Sequence, residues 1–156
     1  MLDPPDPRHN IKLFGGHCDR AKMKIMMGTQ YVSLAYCRLA QSLYGGEVTG
    51  CWKTDIDRDD RQNFTTWSRL SGNKMRNALQ KLGARNDEHR EDCSGMVEYL
   101  YLVSRFQLVF FGKKLSLGMR AQHASEVLNS LRLWRLWVRA AKGYRPHDVG
   151  APAGYY

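Results

Sequence analysis

Near the C-terminal end, four cations are spaced to act together. Arg132, Arg135, Arg139 and Lys142 follow one another at steps of three, four and three, which on a helix sets them along one edge. Trp134 and Trp137 stand among them. Cations with aromatic neighbours suit phosphate oxygens or carboxylates, which accept charge-assisted hydrogen bonds. We take these six residues as the candidate site: the four cations for contact with an anion or partner, the two tryptophans as interface or core anchors. The competing reading is a solvated helix face lightly paired to acids such as those of residues 85–92.

Other chemistries fit the sequence less well. Asp55, Asp57, Asp59 and Asp60 crowd together as in a calcium loop, but an EF-hand needs Gly at its sixth position and Glu at its twelfth. Those positions hold Asp60 and Thr66, so the carboxylates are expected to cap a following helix. His89 and Cys93 are four apart and would share a helix face, and His17 adjoins Cys18. Structural zinc takes four ligands, usually in two close pairs, and this spacing does not supply them. No metal and no cofactor is expected. The nucleophile elbow, the P-loop and the dinucleotide fingerprint are missing. No catalytic residue is assigned, and the chain is expected not to be an enzyme. Met23, Met26 and Met27 are read as core filling.

The chain's bulk properties frame that reading. At 156 residues, with 43% hydrophobic and 25% charged content, it suits one globular domain with a real core. A net charge of +9 favours a partner rich in phosphate, an anionic membrane surface or an acidic protein. The cysteines, Cys18, Cys37, Cys51 and Cys93, form no Cys-x-x-Cys pair and are too dispersed for a disulfide scaffold, which points to reduced thiols in an intracellular compartment. The opening Met-Leu-Asp-Pro-Pro-Asp-Pro resembles neither a secretory signal nor an Arg-rich presequence.

The elements that would position the site read as helices between two arms. Residues 1–18 form an extended arm with Pro4, Pro5 and Pro7. Residues 19–142 form one helical domain. Its first helix is expected over residues 19–44, capped by Asp19 and stopped by Gly45-Gly46, with Ile25, Val32, Tyr36, Leu39 and Leu43 on one face. Gly28 inside it suggests close approach by a neighbour. A second helical region covers residues 58–82, bent or split at Ser71-Gly72 and stopped by Gly83, with Phe64, Trp67, Met75, Ala78, Leu79 and Leu82 inward. Residues 96–111 are the most apolar run; as a helix they span about 24 Å, short of the roughly 30 Å of a bilayer core, so a core helix is expected. After a turn at residues 112–118, the last helix runs from about Met119 to Lys142. Val127, Leu131, Trp134, Val138 and Ala141 form its apolar stripe, and Leu133, Leu136 and Trp137 lie outside both stripes. Such a helix is expected to be wedged between other elements. Residues 143–156 read as an extended tail.

Ala35-Tyr36-Cys37-Arg38 on one helix, with Asn73-Lys74-Met75-Arg76 on the next, resembles in outline the small mitochondrial LYR-motif proteins, which are helical accessory subunits and assembly factors. Cys37 separates the Tyr from the Arg that the motif joins, and no Leu precedes the Tyr.

The expected fold is all-α, an irregular bundle of about four principal helices with extended arms. The expected function is that of a basic, non-enzymatic accessory subunit of a large intracellular assembly, a mitochondrial respiratory complex or a ribosome before others. Its partners would be other protein subunits, with RNA or anionic lipid also matched by the basic stripe, and it would not be a lone monomer. The alternative is a DNA- or RNA-binding module using the basic helix.

Overall fold

The computed structural model describes residues 6–8, 25–57, 64–85 and 87–141, with residues 87–92 described for their backbone alone. A short hairpin comes first, β1 (Ile25–Met27) and β2 (Gln30–Val32). Six helices follow: α1 (Leu34–Thr49), α2 (Lys53–Ile56), α3 (Phe64–Leu70), α4 (Asn73–Arg85), α5 (Asp87–Phe111) and α6 (Leu117–Ala140). The all-α bundle expected from the sequence is therefore present, with one small antiparallel ribbon added. Of the expected arms, residues 1–5, 9–18 and 143–156 lie outside the described residues, as do residues 19–24 and 142 of the expected helical domain.

The organising element is α5, not the basic helix. It packs against α4, α6, both strands, α1 and α3. Cys93, Met96, Val97, Tyr99, Leu100, Leu102 and Val103 are all buried along it, so several of its faces are covered at once. That explains why this run is the most apolar of the chain. Residues 108–111 continue the helix to its end. No helix among the described residues is long and apolar enough to cross a membrane.

The first expected helix is corrected. Residues 25–32 form a hairpin whose register sets Ile25 opposite Val32 and Met26 opposite Tyr31. Gly28 sits at φ 63 as the first central residue of the two-residue turn, the position at which a type II′ turn takes Gly. Among the described residues no close approach occurs at Gly28, for a Cβ built there would meet none of them within 4 Å. Helix α1 begins only at Leu34, behind Ser33, whose Oγ accepts from the Ala35 N–H at 3.2 Å. It buries Leu34, Cys37 and Ala40, while Tyr36 and Leu39 are partly buried and Leu43 is exposed.

Gly45 breaks the helical geometry (φ 77, ψ 171), yet the chain resumes helix to Thr49. The Thr49 hydroxyl donates to the Gly45 carbonyl at 2.8 Å, and Gly50, left-handed at φ 70, ends the element. Gly83 likewise fails to stop α4, which continues to Arg85 with Gly83 buried inside. The split at Ser71-Gly72 is as expected. The Ser71 Oγ donates to the Trp67 carbonyl at 2.8 Å and lies 3.3 Å from Gln107 Oε1, tying the end of α3 to α5.

A close approach between elements occurs at Gly95 of α5. A Cβ there would stand 2.8 Å from Gln30 Cβ and 3.4 Å from the Tyr31 carbonyl oxygen, so β2 lies directly on the helix surface. Gly95→Val is expected to push the hairpin away at a cost of about 1–3 kcal/mol, the usual range for overpacking. Denaturant unfolding of the variant checks this; an unchanged midpoint would mean that the hairpin does not seat on Gly95.

Candidate functional site

Helix α6 starts at Ser116, whose Oγ accepts from the Met119 N–H at 3.3 Å. It ends where the Ala141 N–H donates to the Trp137 carbonyl at 2.8 Å. The turn of residues 112–116 reverses the chain, and α6 packs chiefly against α5. Its apolar stripe is the inward face: Val127, Trp134 and Val138 are buried, and Leu131 packs on the core from a partly buried position. Trp134 is thus a core anchor, as its spacing indicates. Trp137 is half-buried at the margin of the same core.

The structure places Arg132 and Arg139 on the exposed surface and Arg135 half-buried. By about 100° per residue the three fall within about 60° of arc, so they do share one edge of α6. Lys142, the fourth cation of the stripe, lies outside the described residues.

One expectation is overturned at this surface. Among the described residues α6 is not wedged between elements, because its chief packing partner is α5 alone. Leu133 and Leu136 remain 67% and 60% exposed, and Leu117, Met119 and Leu128 are exposed as well. The reason is the reach of one neighbour. A single packed helix covers one stripe of another, and α6 carries apolar residues well beyond one stripe.

A polar cluster that the sequence did not suggest joins α5 to α6. His123 is buried, and both its ring nitrogens lie 3.4 Å from Arg105 Nη1. Glu126 Oε2 lies 3.3 Å from His123 Nδ1 and 3.5 Å from Arg105 Nε. The hydrogen bond with His123 holds the Glu126 carboxyl below its ordinary range, and the Arg105 charge adds to this. Arg105 also lies over the Tyr101 ring at 4.6 Å, and Arg76 of α4 approaches the same ring at 5.3 Å. Burial, and then the charge of Arg105, lowers the Arg76 guanidinium from its ordinary value. A buried histidine between an arginine and a glutamate requires three residues from two helices to converge. Only the i,i+3 spacing of His123 and Glu126 is visible in the sequence.

The Asp55 cluster resolves into structural roles. Asp55 lies inside α2 and is buried, where its Oδ2 accepts from the Trp52 N–H at 3.0 Å and its Oδ1 from Arg69 Nη1 at 2.8 Å. It caps α2 from within instead of capping the helix that follows, and it ties α2 to α3. Asp57 accepts from Arg38 Nε at 2.7 Å, joining α1 to the end of α2. Asp59 and Asp60 lie outside the described residues.

Cys37, Cys51 and Cys93 are buried and not joined in a disulfide. Burial, and then the nearby Asp55 charge, pushes the Cys51 thiol up to about 12 against the pull of Arg69. A thiol held so high carries almost no thiolate at neutral pH, and the thiolate is the reactive form. Cys51 is therefore expected to resist alkylation by iodoacetamide at pH 8 until the chain is unfolded, as read by mass spectrometry of the digested protein. Rapid labelling of Cys51 in the native protein would contradict its burial. Among the described residues no group of three or more His, Cys, Asp and Glu is placed to hold a metal ion. His17, Cys18 and the His89 side chain lie outside those residues.

Compared with protein families, characterised proteins and solved structures, the chain gives no significant match.

Proposed function

We propose that this chain is a non-enzymatic helical accessory subunit that docks into a larger assembly through the outward side of α6. One observation carries the reading: Leu133 and Leu136, 67% and 60% exposed, stand one turn apart on the side of α6 turned from α5, beside exposed Arg132 and Arg139. Large aliphatic side chains grouped next to cations suit an interface with an apolar centre and a charged rim. An intracellular assembly such as a mitochondrial respiratory complex or a ribosome is the first setting to examine.

The arginine edge by itself also favours a second reading, binding to RNA or DNA. Replacing Arg132, Arg135 and Arg139 together by Gln separates the two. The fold is expected to survive, because the exposed charges of Arg132 and Arg139 add little to stability and Gln keeps part of the half-buried Arg135 stem. The subunit reading expects the variant to drop out of the complex recovered by native purification in mild detergent, while the unaltered protein binds nucleic acid weakly. The nucleic-acid reading expects binding that falls steeply with salt, with a shallower salt dependence in the variant. An unaltered protein that migrates alone, free of other subunits, would sink the subunit reading.

A further inference from the structure

The outward side of α6 carries a more specific pattern than exposed apolar area. Leu133, Leu136, Trp137 and Ala140 occur at i, i+3, i+4 and i+7, the spacing by which one helix presents a strip to another. Leu133, Leu136 and Ala140 are exposed, and Trp137 closes the strip on the side facing the core. From Leu133 to Ala140 the strip runs about 10 Å along the axis, roughly two helical turns. The opposite margin is basic, with Arg132 and Arg139 at the surface and Arg135 behind them.

We infer that this strip receives an amphipathic helix of another protein, one that carries acidic residues along a single edge. The inference rests on the docking role proposed above and names the chemistry of the partner. Charge decides against a second copy of this chain. Between Leu117 and Ala140 the one acidic residue is Glu126, and it is engaged by His123 and Arg105. Two copies meeting through α6 would bring two basic edges to one interface with no carboxylate from either strip, and uncompensated like charge at an interface is costly. The leucines decide against nucleic acid, because phosphate and base edges give Leu133 and Leu136 nothing apolar to cover them. The one-sided cations decide against a lipid surface. A helix lying in an interface sinks its apolar face into the acyl boundary with a broad basic polar face above, whereas here the face opposite the buried stripe is itself part apolar and part cationic. Acids on one edge of the incoming helix would fix its direction as well as its position.

A photo-reactive phenylalanine analogue placed at Leu136 in the full chain, expressed in the cells that make it, tests this. Irradiation is expected to give a cross-link to one other protein. The linked peptide should show a helical apolar period and carry Asp or Glu on one flank. Arg132→Glu with Arg139→Glu should lower the cross-link yield roughly tenfold, in line with placing like charges together at an interface rim. Replacing the partner's flanking acids by Arg should restore it. Circular dichroism of the purified variants checks that the fold is kept. Several results would overturn the inference: no cross-link, a cross-link to a second copy, to the chain's own other segments, to lipid, to nucleic acid or to a peptide without acids, or a yield indifferent to charge reversal. Co-migration of the unaltered chain with other subunits separates the two levels. A chain that sits in an assembly but fails these tests loses only the acidic helix, whereas a chain that migrates alone loses the docking role itself.

Discussion

Trp134→Ala is expected to cost about 3–5 kcal/mol of folding stability, the usual range for truncating a large buried aromatic. Trp134 is 6% exposed and belongs to the main core cluster, in the stripe by which α6 meets α5. Its removal leaves a cavity that two helices joined by a short turn can only partly close. The indole Nε1 is buried and finds no hydrogen-bond partner among the described residues. Trp134→Phe, which keeps an aromatic ring and removes that donor, is therefore expected to cost clearly less than Ala. Urea unfolding of the three proteins reads the order directly. A loss below about 1 kcal/mol for Trp134→Ala would mean that α6 does not dock through this stripe.

Leu100→Ala is expected to destabilise the fold by about 2–5 kcal/mol, the range for a leucine deleted from a closed core. Leu100 is 0% exposed, near the middle of α5, with Met96 and Val103 buried on the adjacent turns. Because α5 is covered by α4, α6, the hairpin, α1 and α3, no solvent-facing slack exists there to absorb the void. Leu100→Met, which nearly conserves volume, should lose less than about 1.5 kcal/mol. Equal losses for the two replacements would show that the site responds to something other than lost volume.

The helices were legible where their period is long and their apolar positions few. Of the inward set, Trp67, Met75, Ala78, Leu79 and Leu82 are buried and Phe64 is partly buried; of the α6 stripe, Val127, Trp134 and Val138 are buried, with Leu131 and Ala141 partly so. The hairpin was not legible, for a geometric reason. Ile25 and Val32 are seven apart, which on a helix puts them on one face. A two-residue turn centred between them puts the same two residues opposite each other on adjacent strands. One pattern serves both structures, and only Gly28-Thr29 at the midpoint and Ser33 as a cap distinguish them.

Glycine misled in a second way. Gly45-Gly46 and Gly83 read as stops, but Gly45 only kinks α1, and Gly83 is buried inside α4. Of the candidate site, the arginine edge and the anchor Trp134 could be read from spacing. The outward exposure of Leu133 and Leu136 could not, because it depends on how many neighbours α6 has, which no local period encodes. The cluster of Arg105, His123 and Glu126 was hidden for the same reason.

The central position of α5 also orders how the chain can assemble. Helices α5 and α6 are joined by the short turn of residues 112–116, so their pairing closes a small loop and loses little chain entropy. The seat of the hairpin on Gly95 is different, since α1 to α4 all lie between the two partners in the chain. Contacts between distant segments form slowly, because the loop must be closed before they contribute anything. The two sides of α5 are thus filled on separate schedules: the α6 side through local contacts, and the hairpin side only after the intervening helices have brought the early part of the chain back across. Until that return, the flank of α5 at Gly95 stays uncovered. The half-formed protein would then expose apolar surface on α5 itself, a hazard that passes only when β2 arrives.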